Sequence, residues 1–282
     1  SRKAVKIKEY IHDIPFLKLK FFSYIKRKVS KIGFLKGKMQ PVGFITAKYH
    51  QQSLPGFPLQ KIFGKNIVQQ VWETMGKSTL LRRIVVVTDD DSVADFCMDI
   101  GAEFVVLQNG IDGEIEMIYA AMEMLGEDED SVFFIPDREV FVRAEMIDFL
   151  IENFYKHKAD AATLTAPLAS KDELIKKNIY KVKIDKDGMV SKYQRSVKNG
   201  GKLDKQRLEA DNIYKNIGVY IFKKESLYKF YDILKNDSSG VEGIEFNLMP
   251  ENDFKVITFP CRERILSIGS MEDLRKINEK YS

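Results

Sequence analysis

Two apolar runs in this chain end in carboxylates. Ile84-Val85-Val86-Val87 runs into Thr88-Asp89-Asp90-Asp91, and Val132-Phe133-Phe134-Ile135 runs into Pro136-Asp137. Short uncharged runs of β-branched and aromatic residues suit strands buried on both faces of a parallel sheet. A carboxylate just past such a strand stands at the carboxyl edge, where open α/β sheets bind their ligands. Asp137 is therefore a candidate Mg²⁺ ligand, because magnesium takes one or two carboxylates and completes its shell with water and substrate phosphates. For Asp89, Asp90 and Asp91 a plain structural use competes: they can cap a helix beginning near Ser92. Both readings stay open at this point.

A third feature lies between Lys48 and Pro58, where Pro55-Gly56-Phe57-Pro58 marks an irregular turn. It follows the first strand, Val42–Ala47, a position that holds nucleotide phosphates in many α/β proteins. Its chemistry is unusual for that task, since no Lys or Arg occurs between Tyr49 and Gln60. Phosphate chains normally demand cations. Lys48, Lys61 and Lys65 flank the loop and are the available ones. The three histidines, His12, His50 and His157, are too scattered to suggest a metal site, and Cys97 with Cys261 cannot build a disulfide framework or a four-ligand zinc site. No Walker A loop, G-x-S-x-G elbow or G-x-G-x-x-G turn is present.

The elements that must position these residues alternate. Strands are predicted at 42–47, 84–87, 104–107 and 132–135, and helices at 67–75, 93–98, 116–125 and 146–154. That rhythm predicts an α/β sandwich with a mainly parallel central sheet. After residue 160 strands dominate: 161–166, 180–184, 219–222 and 254–259, with a hairpin turn at Asp185–Gly188 and a closing helix at 271–277. With 282 residues, 44% of them hydrophobic, there is ample material for a core, and no apolar run reaches the roughly 18–20 residues of a membrane span. No apolar signal-peptide core is found, so the cytoplasm is the expected compartment.

The net charge of +4 hides an asymmetry: residues 1–39 carry +10 and the remainder −6. We read 1–40 as a basic amphipathic extension and 41–282 as the folded domain. Lysines interleaved with Ile, Phe and Leu suit an anionic membrane surface, here the inner face. They equally suit an apolar side packed on the body or on a second subunit, with solvated lysines outside. Nucleic acid is not the expected partner.

The order of motifs resembles the CMP-Kdo synthetases (3-deoxy-manno-octulosonate cytidylyltransferases) within the sugar-acid cytidylyltransferases, over about residues 42–280. Ala47-Lys48 through Ser53-Leu54-Pro55-Gly56-Phe57-Pro58-Leu59 is similar to that family's A-R-x-x-S-x-R-L-P-G-K-P-L loop. Val87-Thr88-Asp89-Asp90 resembles V-A-T-D-D, and Asn216-Ile217-Gly218-Val219-Tyr220 resembles H-x-G-I-Y. Glu242 and Glu245 fit an L-E-x-x-E helix, Arg195 fits F-S-R, and Ile268–Leu274 fits V-D-T-P-E-D-L. The resemblance implies a Rossmann-like nucleotide-diphospho-sugar transferase fold with a smaller β-rich dimerisation part. It implies transfer of CMP from CTP to a Kdo-like sugar acid with release of pyrophosphate, in surface-glycan (lipopolysaccharide) biosynthesis. It also implies Mg²⁺ on Asp137 and a homodimer through residues 216–250. Lys48, Arg195 and Asp137 would be catalytic; Ala47, Lys48, Ser53, Lys65, Thr88, Asp89 and Asp90 would hold the nucleotide; Arg138, Asn216, Glu242 and Glu245 would hold the sugar acid.

The departures fall on chemistry. The loop cations of the family pattern become Lys48, Ser53 and Phe57, Q-G-D-E-P becomes Ile135-Pro136-Asp137-Arg138-Glu139, and the second metal aspartate becomes Gly269. The arginine of H-x-S-G-T-[DE]-R is missing from Gly110–Glu116. A catalytically inactive homologue working as a binding or regulatory subunit is the alternative these losses leave open.

Overall fold

The computed structural model describes residues 40–51, 54–107, 111, 113–126, 129–168, 171–177, 179–195, 212–236, 245–261, 265–266 and 268–281. Residues 39–282 form one compact unit. The basic extension read at 1–40 lies outside the described residues, apart from residue 40. The strands are β1 (Val42–Ala47), β2 (Lys61–Ile62), β3 (Lys65–Asn66), β4 (Arg83–Thr88), β5 (Glu103–Val106) and β6 (Ser131–Pro136), then β7 (Ala161–Ala166), β8 (Lys181–Ile184), β9 (Val190–Gln194), β10 (Ile213–Lys223) and β11 (Val256–Pro260). The helices are α1 (Ile67–Met75), α2 (Asp91–Ile100), α3 (Glu114–Leu125) and α4 (Ala144–Lys156), then α5 (Lys171–Ile175), α6 (Lys224–Asn236), α7 (Leu248–Glu251) and α8 (Met271–Tyr281).

Among the described residues nine strands make one sheet in the order β11-β7-β10-β6-β1-β4-β5, with β8 added on β10 and β9 on β8. β1 pairs in parallel with β4 on one side and β6 on the other, and β5 extends β4 in parallel. The chain winds outward from β1 through β4 to β5, then returns to place β6 on the opposite flank of β1. That reversal opens a crevice beyond the carboxyl ends of β1 and β6, the place where such sheets bind ligands. Asp137 follows β6 there, and the 48–58 loop follows β1. β10 runs antiparallel between β6 and β7, so the sheet is mixed.

Alternation along the strands sends side chains to two cores. Phe44 and Phe134 join one, with Ile115, Ile118 and Met122 of α3 and Leu227 and Phe230 of α6. Ile45 and Phe133 join the other, with Val68 and Val71 of α1 and Ile147 and Leu150 of α4. The helices therefore cover both faces, which is why the central strands read as unbroken apolar runs. Among the described residues no helix is long and apolar enough to cross a membrane.

One expectation is corrected here. β10 is eleven residues long, not the four read at 219–222, because polar Lys215 and Asn216 interrupt its apolar pattern while being buried and paired. It is also an interior strand, with Ile217, Tyr220, Ile221 and Phe222 buried.

The β8–β9 hairpin forms at the expected Asp185–Gly188 turn, with Gly188 at φ 79°. A buried cation fastens it. Lys181 Nζ donates to the carbonyls of Lys176 and Ile179 at 2.7 Å and of Arg195 at 2.8 Å, tying the segments before β8 and after β9 together. Lys181→Met leaves three carbonyls without their donor and should lower unfolding free energy by about 2–4 kcal/mol. Chemical denaturation measures this, and a change below about 0.5 kcal/mol would refute the fastening role.

Candidate active site at the carboxyl edge of the sheet

The loop after β1 is shaped by its own backbone and by β4. Gly56 takes a left-handed conformation at φ 65°, and its N–H donates to the Tyr49 carbonyl at 2.9 Å, closing the turn. Asp89, just past β4, accepts the Tyr49 N–H at 2.6 Å and the His50 N–H at 3.4 Å. Asp90 is the N-cap of α2 and accepts the Ser92 N–H at 2.8 Å. The cap reading holds for Asp90, while Asp89 holds the loop. Phe57, at the position of the family loop's lysine, is fully buried in the core beneath the loop. The loop borders a cleft of about 400 Å³ lined by Tyr49, His50, Gln51, Pro55, Gly56 and Gln60.

Across the crevice, the Asp137 N–H donates to the Thr46 carbonyl at 3.0 Å, so the turn after β6 is fixed to β1. The Asp137 side chain is 1% exposed, and its Oδ2 has no hydrogen-bond partner. Burial drives its carboxyl up to about 8; Arg138 opposes this, while Glu114 and Asp89 add to it. Glu139 is 6% exposed, also has a partnerless oxygen, and is likewise raised by burial.

Arg138 stands among these carboxylates. It donates to Glu114 Oε1 at 2.7 Å, and its Nε lies 3.9 Å from Glu139 Oε1. Burial works against its charge, yet Glu114, Glu139 and Asp137 together hold its pKa above the ordinary value. Glu114 opens α3, in the segment where the family pattern carries its arginine. Gly218 closes this side. β10 shifts register between Ile217 and Tyr220, which frees the Gly218 N–H for Glu139. A Cβ at Gly218 would meet Glu139 Oε1 at 3.0 Å.

Several other candidates bond within the protein. Asn216 accepts from Thr163 Oγ1 at 3.1 Å and donates to the Tyr220 hydroxyl at 2.6 Å, bracing the bulge of β10. Lys65 pairs with Glu73 of α1 and keeps that carboxyl below its usual range. Thr88 is fully buried; its carbonyl is taken by the Leu107 N–H, and its Oγ1 has no hydrogen-bond partner. Ala47 is the buried last residue of β1. Lys48 is half-buried at the mouth of the loop, its carbonyl accepting from Gln51. Arg195 sits 5.6 Å from the centre of the Tyr180 ring and donates to the Tyr180 hydroxyl at 3.3 Å. Tyr180 in turn interacts electrostatically with Arg138. The helix expected around Glu242 and Glu245 is, in its described part, a single 3₁₀ turn at Glu245–Asn247 leading into α7. Ser53, Glu242 and the Glu245 side chain lie outside what is described.

Gly269 offers no carboxylate; its N–H donates to Asp273 in a capping arrangement with Ser270 at the start of α8. Among the described residues no group of three or more His, Cys, Asp or Glu could hold a metal. The site fits a divalent ion that takes one protein carboxylate and the substrate's phosphates, with the orphaned Asp137 Oδ2 as the ligand atom.

Glu114 and His50 are site residues that sequence reasoning misses. The acid–base–acid run Asp137-Arg138-Glu139 after an apolar strand is the signal that points to a charged cluster there, and Gly113-Glu114 at a helix start is the one for its partner.

The fold and the crevice define a nucleotidyltransferase architecture. The chain belongs to the cytidylyltransferase family, whose profile matches residues 42–274. The 3-deoxy-manno-octulosonate cytidylyltransferase of Porphyromonas gingivalis is 27% identical over 238 residues, covering 82% of this chain and 92% of its own. That of Pseudomonas syringae pv. tomato is 30% identical over 193 residues, 66% of this chain and 76% of its own. A solved CMP:2-keto-3-deoxy-manno-octonic acid synthetase complexed with CTP aligns with TM-score 0.73 at 19% identity, over 86% of this chain and 98% of that one. A 4-diphosphocytidyl-2C-methyl-D-erythritol synthase from Anaerococcus prevotii aligns with TM-score 0.60 at 14% identity, over 86% and 98%. The two structural matches show the shared fold.

Proposed function

We propose that this chain transfers CMP from CTP to a sugar acid of the 3-deoxy-manno-octulosonate type. A hydroxyl of the sugar acid attacks the α-phosphorus, the α–β phosphoanhydride bond breaks, and pyrophosphate leaves. The observation that carries this reading is Asp137: a buried carboxylate with a partnerless oxygen, at the switch point of a cytidylyltransferase sheet. Mg²⁺ bound there would supply charge neutralisation on the phosphates.

The chain's own residues divide the remaining work. Asp89 fixes the Tyr49–His50 backbone, so the loop edge is set before the nucleotide arrives. Lys48 brings positive charge to the mouth of that loop. Arg138, a planar fork suited to carboxylate or phosphate, orients the sugar acid at the opposite wall. Preorganisation of this kind is worth roughly 10²–10³ in rate for each donor aimed at developing charge. The inactive-homologue alternative has no observation in its favour. Pairing of two copies, cytoplasmic residence and contact of the basic extension with a membrane surface belong to the same proposal.

The test is pyrophosphate release from CTP and 3-deoxy-manno-octulosonate with Mg²⁺, with the other nucleoside triphosphates as controls. CTP-selective, metal-dependent release is the expected result. No release with any sugar acid, although CTP binds, would move the chain to a binding role.

A further inference from the structure

The loop after β1 carries an imidazole already held at one nitrogen. His50 Nε2 lies 3.1 Å from Asp90 Oδ2, and the side chain is 58% exposed. Asp90 is itself fixed, since its other oxygen caps α2. The Tyr49 ring meets the imidazole edge-on at 5.2 Å. A carboxylate only accepts, so the nitrogen facing Asp90 is the one that carries hydrogen. The other nitrogen, Nδ1, then decides what His50 can do. In the neutral ring it is a lone pair; in the imidazolium it is an N–H donor. A phosphate oxygen accepts only, so the protonated ring alone can bond to it.

The surroundings make that donor matter. Of the residues lining the cleft, Tyr49, His50, Gln51, Pro55, Gly56 and Gln60, His50 is the one that can become positive. The family loop's lysine position is filled by Phe57, which points into the core. The charged groups facing His50 are Asp90 and Asp89 from the turn after β4, with Lys48 two residues away on its own loop.

We propose that His50 is a phosphate-contacting residue of this loop, with Asp90 holding Nε2 and Nδ1–H of the imidazolium donating to the phosphate chain of the nucleotide. Nucleotide affinity is then gated by protonation of the loop. This inference rests on the nucleotide reading above and deepens it.

The test is calorimetric titration of the wild type, His50→Gln and His50→Arg with CTP, inorganic tripolyphosphate and cytidine. It is run at about pH 6 and about pH 8. It is done first without metal, so that no metal bridges Asp137 and the phosphates, and then with Mg²⁺; the ionisation of Asp137 is common to all three proteins and cancels in the comparison. His50→Arg reports how the ligand's own ionisation changes affinity, because its charge is permanent. Relative to that variant, the wild type should lose roughly tenfold in CTP and tripolyphosphate affinity between the two pH values. His50→Gln should bind both weakly at each pH, and cytidine should bind all three proteins alike. If His50→Gln matches the wild type at both pH values while CTP still binds, the assignment falls and the nucleotide reading stands. If cytidine binding weakens as much as tripolyphosphate binding, the contact is not to phosphate and the assignment falls. If none of the three proteins binds CTP under any condition, the nucleotide reading falls and takes this one with it.

Discussion

Asp137→Asn is expected to cut metal-dependent turnover by roughly 10²–10³-fold or more and, in the same protein without metal, to raise stability at pH 8. The two effects have one origin. Burial drives the Asp137 carboxyl up to about 8, while in an unfolded chain it titrates near about 3.9. Between those values the unfolded chain has released a proton that the folded chain still holds. The unfolded state therefore binds fewer protons, and stability falls as pH rises from about 4 towards 8. Asparagine removes that ionisation while keeping the shape. Its advantage over the wild type should be absent near pH 4 and grow to about 1–4 kcal/mol at pH 8. Denaturant unfolding of both proteins in EDTA at the two pH values measures it, and a gap that does not widen with pH refutes the buried ionisation. The same linkage predicts that Mg²⁺ binding releases a proton and tightens as pH approaches 8. Calorimetry in two buffers of different ionisation enthalpy reads that proton directly. Unchanged turnover in Asp137→Asn would remove Asp137 as the ligand.

Arg138→Met should be the most damaging single change at this edge. The guanidinium bonds Glu114 and stands beside Glu139 and Asp137, so its removal leaves three partly or fully buried carboxylates without that countercharge. Breaking a buried pair on one side costs about 3–5 kcal/mol. Glu139 can take up a proton and recover part of this, so a value near about 3 kcal/mol is expected. Adding Glu114→Gln to Arg138→Met removes one of the stranded charges and should recover a fraction of the loss, since the two side chains are in direct contact. Turnover should fall by roughly 10²–10³-fold in Arg138→Met. Arg138→Lys, which keeps the charge without the fork, should be stable and still slow. If Arg138→Met unfolds like the wild type, the countercharge account is wrong; if Arg138→Lys turns over like the wild type, the fork does not orient substrate.

Some of this was readable in the chain and some was not, and the division follows the range of the forces. The central strands β1, β4 and β6 and the helices between them announce themselves locally. A strand buried on both faces must be apolar throughout, and an amphipathic helix must repeat its apolar residues every three to four positions. That was enough to put Asp89 and Asp137 at the carboxyl edge and to recognise the family. The same signal failed where burial is polar. β10 was cut short at Lys215 and Asn216, because composition cannot reveal that Lys215 would be buried against Glu173 or Asn216 against Thr163 and Tyr220. α6 was passed over although Leu227, Phe230 and Leu234 carry its spacing, because charged residues dilute it.

The sequence by itself therefore determined the central strands with the helices between them, the family, and the place of Asp89 and Asp137 at the carboxyl edge. Only the tertiary structure decided which of those residues keep an open valence. Asp89 and Tyr49 are 40 residues apart, Asp137 and Thr46 further still, and Arg138 finds Glu114 across 24. A buried polar atom must find a partner, and that partner comes from whichever strand the sheet sets beside it. Asn216 found its partners within the protein, in Thr163 and Tyr220. Asp137 kept one oxygen without a partner.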